Sequence, residues 1–129
     1  MIEYTDSVDK ITPDNLEGFF LGWKRLHSPA EHLEILKSSA HIVLAIDTDE
    51  DRVVGFITAL TDGIQSAFIS LLEVLQEYQK QGIGSALVSK MLEKLKGIPA
   101  IDLMCDPEIQ KFYTRFGMIP STGMVIRDN

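Results

Sequence analysis

The heptapeptide Gln79-Lys80-Gln81-Gly82-Ile83-Gly84-Ser85 carries the features that hold a phosphate. An apolar run of strand character precedes it and a helical pattern follows. The turn therefore falls where the unpaired N–H groups and the positive dipole end of a helix attract an anion. Glycines at 82 and 84 remove side chains that would block close approach, and they let the backbone aim successive N–H groups at one point. Two familiar phosphate loops are excluded by spacing. No Gly-Lys-Ser/Thr closes the turn as a P-loop requires, and Leu87 stands where a dinucleotide fingerprint needs a third glycine or an alanine. What remains is a turn sized for a pyrophosphate.

Other residues with chemical potential are scattered. Glu73 is a carboxylate in an otherwise apolar stretch, where burial would raise its pKa toward that of a useful base. Strand alternation sets it on the face opposite Leu72 and Val74, so a solvent-facing glutamate is an equally open reading. Tyr113 adjoins an apolar stripe of Ile109, Phe112 and Phe116 and reads equally as a packed aromatic. Cys105 has no His-Asp partners arranged around it and is read as a small buried hydrophobe. His27, His32 and His41 lack metal-ligand spacing and are read as surface or packing residues, so no metal is expected.

The elements that must position these residues follow from periodicity. Thr12-Pro13-Asp14-Asn15 looks like a helix start, with Leu16, Phe19, Phe20 and Trp23 at helical spacing behind it. Ser28-Pro29-Ala30-Glu31 repeats the device as a capping box, and Leu33 and Leu36 supply the stripe. Two helices are therefore expected before residue 40. His41 to Asp47 and Val53 to Leu60 form a predicted hairpin, and Ser66 to Leu75 a third antiparallel strand. Ile83, Leu87, Met91 and Leu95 define a helix from about Gly82 to Lys96. A strand over Ala100 to Cys105, a helix over Pro107 to Phe116 and an extended tail from Met118 to Arg127 complete the chain. The long helix joins consecutive strands, which implies a parallel crossover. The expected class is α/β: a mixed, mostly antiparallel central sheet flanked by helices.

Bulk properties limit the alternatives. At 129 residues the chain is expected to form one domain, and no apolar run approaches the roughly 20 residues that span a bilayer. A net charge of −7 disfavours binding a phosphate backbone. The single cysteine excludes an internal disulfide, and Met1 to Lys10 shows no basic-then-apolar leader, so a reducing, cytoplasmic setting is expected.

Gln79-x-x-Gly82-x-Gly84 resembles the pyrophosphate motif of the GCN5-related N-acetyltransferases (GNAT), whose consensus is Gln/Arg-x-x-Gly-x-Gly/Ala. Leu72 to Tyr78 is similar to the family's fourth strand and following turn, and Phe112-Tyr113-x-x-x-Gly117-Met118 to its Tyr-x-x-x-Gly-Phe ending. The resemblance implies a single N-acetyltransferase domain over residues 1–129, with acetyl-coenzyme A as cosubstrate and a primary amine on a small molecule or protein as acceptor. It further implies that the pantetheine arm lies along backbone groups of Val74 and Leu75. The pyrophosphate would rest on the turn of Gln81, Gly82, Ile83, Gly84 and Ser85, with Gln79 shaping the loop and Lys80 near the nucleotide phosphate. Tyr113 would protonate the departing thiolate, Glu73 would serve as base, and the N–H of Val74 or Leu75 would hold the oxyanion. Asp106 replaces an asparagine that touches the cofactor in many relatives, and it reads as a helix cap as readily as a cofactor contact. A coenzyme A-binding sensor or subunit without turnover is the alternative reading, and a homodimer is expected by likeness alone. The acceptor is left to Asp14 to Ser39 and the tail after Gly117, where Phe19, Phe20 and Trp23 read as core before they read as pocket or dimer face.

Overall fold

A computed structural model describes residues 1–128. Five strands, β1 (Ile2–Thr5), β2 (His41–Asp47), β3 (Arg52–Thr61), β4 (Ser66–Val74) and β5 (Ala100–Leu103), form one sheet in sequence order. All neighbours are antiparallel except β4 and β5, which run parallel. Helix α2 (Ile83–Lys94) makes the crossover between those two, while α1 (Pro29–Ser38) precedes β2 and the short α3 (Gln110–Thr114) follows β5.

The sheet is covered on both faces. Ile83, Leu87, Val88 and Met91 of α2 are buried at the helical spacing the sequence displays, with Leu87 wholly enclosed. Full burial of a side chain of that size stabilises by roughly 1.5–3 kcal/mol. Gly55 admits the helix: a methyl group there would lie 3.2 Å from both Ile83 and Leu87. Phe56, the next residue, points to the other face and packs against Phe19, Phe20 and His32. The capping box of α1 forms in full, Glu31 N–H donating to Ser28 Oγ (3.1 Å) and Ser28 N–H to the Glu31 carboxylate (3.0 Å).

The amino-terminal third departs from expectation in two ways. Residues Ile2–Thr5 form an edge strand beside β2, where the sequence had suggested no element before Thr12. The helix expected from Thr12 is only a 3-10 turn, Pro13–Leu16, and the chain then runs as a loop to Ser28. Gly18, Phe20 and Gly22 all have positive φ, at 100°, 65° and 82°, which no helix tolerates. Leu16, Phe19 and Phe20 are nevertheless buried, so tertiary packing has used the apolar residues without the helical period. Trp23 is left 44% exposed. At the other end, the expected helix from Pro107 divides into a 3-10 turn, Pro107–Ile109, and α3, and no strand forms between Met118 and Asp128.

Candidate functional site

The parallel pair is short. β5 pairs only with Ser66 to Ile69 of β4 and ends at Leu103, while β4 continues to Val74. The β5-facing edge of residues 70–74 thus has no strand partner among the described residues. Backbone direction decides which groups it offers. Leu75 N–H donates to Val54 O (2.8 Å) on the β3 side, so by alternation Val74 N–H points into the gap. Leu75 O already accepts from Tyr78 N–H (2.9 Å). Both backbone groups of Leu75 are therefore engaged internally, and Val74 N–H is the group left facing the gap.

The glycine turn stands at the end of this gap. Gln79 Nε2 donates to Val74 O (3.0 Å), clipping the turn to the strand end. Lys80 and Gly82 both have positive φ, 65° and 83°, and Gly82 is the N-cap of α2. At Gly82 the conformation is the requirement, since a side chain there would meet nothing within 4 Å. A methyl group at Gly84 would lie 3.6 Å from Phe112 and 3.9 Å from Val74. The first helical bond runs from Ala86 N–H to Gly82 O, which leaves the N–H groups of Ile83, Gly84 and Ser85 outside the helical ladder. Gln81 and Lys80 are exposed beside them.

One residue at this turn escaped the sequence reading. Arg115 donates to Ser85 Oγ (3.1 Å), with its guanidinium 5.0 Å from the Phe112 ring centre and 5.7 Å from that of Phe116. A fixed cation thus stands at the first turn of α2. The available signal was an arginine one helical turn after Phe112, within the tyrosine motif.

Tyr113 is half-buried against Phe112, their ring centres 4.9 Å apart. Burial, and then the nearby Cys105 thiol, push its pKa up, so the phenol keeps its proton at neutral pH. Both residues line a groove of about 850 Å³ between β5, α3 and the segment 117–123. Glu73 faces away from Val74, and its carboxylate accepts the N–H of Phe20 (3.1 Å). Burial raises its pKa and the Phe20 hydrogen bond opposes the rise. Asp106 occupies the N-cap position before Pro107, yet its side chain makes no capping bond, and only its carbonyl accepts, from Ile109 N–H.

A strand edge without a partner thus ends beside a glycine-turned helix start, against which α3 packs through Phe112 and Arg115. The chain belongs to the acetyltransferase (GNAT) family, whose pattern covers residues 8–118. Among solved structures it is similar to a candidate acetyltransferase from Deinococcus radiodurans, with a TM-score of 0.94 and 37% identity, covering 98% of this chain and 87% of that one. It also resembles a GNAT-family acetyltransferase from Streptococcus pneumoniae, with a TM-score of 0.79, 31% identity and coverage of 99% and 98%. Of curated relatives, an uncharacterised N-acetyltransferase of Gracilaria tenuistipitata is 25% identical over 104 residues, 77% of this chain and 56% of the relative. The chain spans a little over half the length of the first such relatives. Among the described residues no helix is long and apolar enough to cross a membrane.

Proposed function

We propose that residues 1–129 act as a single N-acetyltransferase domain that takes the acetyl group of acetyl-coenzyme A and passes it directly to a primary amine. The observation that carries this reading is the open edge of residues 70–74 leading straight into the glycine turn. An extended amide-bearing arm fits such an edge as a strand partner, and a pyrophosphate fits the N–H cluster at its end. Arg115, held by Ser85, adds charge complementary to a phosphate. The cosubstrate supplies the activated thioester. Val74 N–H, facing the gap, would serve as the donor to the oxyanion. Attack by the neutral amine forms the C–N bond and breaks the C–S bond, and the departing thiolate takes the phenolic proton of Tyr113. Glu73 or water removes the amine proton.

Calorimetric titration with acetyl-coenzyme A tests the cofactor site. The wild type is expected to bind at micromolar affinity, about −8 kcal/mol. The Gly82→Asp, Gly84→Asp variant, folded by circular dichroism, should not bind. A folded wild type that ignores acetyl-coenzyme A would overturn the proposal. Binding without transfer to any amine would leave the sensor reading in its place.

A further inference from the structure

The glycine turn has to be held as well as shaped. Lys80 sits at a φ of 65°, a costly conformation for a residue with a side chain, and Gly82 follows at 83°. Lys80, Gln81 and Gly82 are all exposed, so burial does not hold them there. Backbone of this kind persists only where its surroundings over-determine it. Helix α2 fixes one end of the turn. At the other end, Gln79 Nε2 clips it to Val74 O of its own strand (3.0 Å).

A further tether reaches the turn from a distant strand. The hydroxyl of Tyr78, two residues before Lys80, donates to Asp47 Oδ2 (2.6 Å), 31 residues away at the end of β2. Asp47 is only 9% exposed, and its other oxygen accepts the N–H of Asp49 (3.0 Å), so the turn between β2 and β3 fixes the carboxylate in place. The Tyr78 bond holds the Asp47 carboxyl below the usual carboxylate range, so the acceptor is ionised at neutral pH and the bond is charge-assisted. Arg52 offers a parallel link, 3.6 Å from the Glu77 carboxylate, but the Glu77 side chain is 62% exposed and such a pair holds little. Tyr78 is therefore the stronger anchor. Its ring packs against the core, as a phenylalanine would, and the hydroxyl adds only the tether.

We infer that Tyr78 and Asp47 are positioning residues for the cosubstrate: their hydrogen bond keeps the turn from Gln79 to Gly82 in the left-handed form that receives the pyrophosphate. They act through the turn and not by contact with the ligand. The inference rests on the acetyl-coenzyme A part of the proposed function and adds the residues that hold its site ready.

Acetyl-coenzyme A is titrated calorimetrically into the wild type, Tyr78→Phe, Asp47→Ala, the double variant and Asp47→Asn, each folded by circular dichroism and each with its unfolding temperature measured. Either of the first two substitutions should weaken binding by about tenfold. The double variant should bind no more weakly than its parents, because the same bond is missing in all three. Asp47→Asn keeps an acceptor oxygen and should recover part of the loss. A hydrogen bond that serves stability alone would lower the unfolding temperature and leave the affinity untouched. Wild-type affinity in Tyr78→Phe would therefore overturn the inference, as would losses that add in the double variant. If Asp47→Ala fails to fold, Tyr78→Phe and Asp47→Asn decide. A wild type that ignores acetyl-coenzyme A would strike the acetyltransferase reading itself, whereas a binding wild type matched by its variants strikes only this inference.

Discussion

Tyr113 is held by rings and Glu73 by a backbone amide, and the difference sets what each can do. A phenol packed against Phe112, its pKa raised, is a protonated donor throughout the neutral range. Tyr113→Phe keeps the packing and removes the proton, so kcat should fall by about a hundredfold with little change in the KM for acetyl-coenzyme A. An unchanged kcat would remove Tyr113 as general acid. Arg115→Ala should instead weaken acetyl-coenzyme A binding by about tenfold in calorimetry while sparing kcat, since it removes one charge-assisted contact made alike in ground and transition states. The tyrosine was legible in the sequence because its motif has a fixed distance from a glycine. Arg115 was not, because its partner Ser85 lies thirty residues away, a proximity created only when α3 folds back onto α2.

At the scale of elements, the glycine turn and the loop after Leu16 both contain left-handed backbone, yet only the first was readable. Gly82 is a glycine at a helix N-cap, a local signal; Gly82→Ala should destabilise by about 1–2 kcal/mol in urea denaturation even without cofactor. The loop from Glu17 to His27 conceals its geometry behind helical spacing, and what overrides that spacing is a contact across the molecule, Phe20 N–H to Glu73. Glu73→Ala should therefore loosen this loop, which hydrogen exchange at the Phe20 amide would register as lost protection. Glu73→Gln retains an acceptor oxygen and should keep most of that protection. A Gln variant with the loop intact but a depressed rate would assign Glu73 to proton transfer, and an undiminished rate would assign it to positioning. Sheet order and the α2 crossover were legible because they follow from period and connection length. The edge strand β1 was not, since four residues carry too little alternation to stand out.

For the whole molecule, pH reads out the buried histidine. The folded-state pKa of His32 lies near 4, below the ordinary 6.5, so between those values the unfolded chain binds a proton that the folded one refuses. Its contribution to stability is complete above pH 6.5 and is lost as pH falls, by about 2 kcal/mol at pH 5. His32→Leu should flatten this part of the stability–pH curve in urea denaturation, and a variant with the wild-type slope would show that His32 protonates in the fold. Glu73 acts with the opposite sign. Its raised pKa means that the folded state takes up a proton more readily than the unfolded one, so this group costs least at low pH. The lowered pKa values of Asp47, held by the Tyr78 hydroxyl, and Asp62, held by backbone N–H groups, add losses only below the ordinary carboxylate range.

A sheet whose β4–β5 pairing stops at Ile69 while β4 runs on beside β3 to Val74 leaves a stretch of strand edge in its interior without a strand partner among the described residues. Such an edge accepts any extended chain of suitable reach, including that of another molecule. The cosubstrate, lying where a strand is missing, would thus guard against misassembly as well as supply the acetyl group. Warmed without ligand, the protein should scatter light at a lower temperature than it does with saturating coenzyme A, and the Gly82→Asp, Gly84→Asp variant should gain nothing from the ligand. The cellular supply of coenzyme A would then set how much of the protein survives as well as how fast it works.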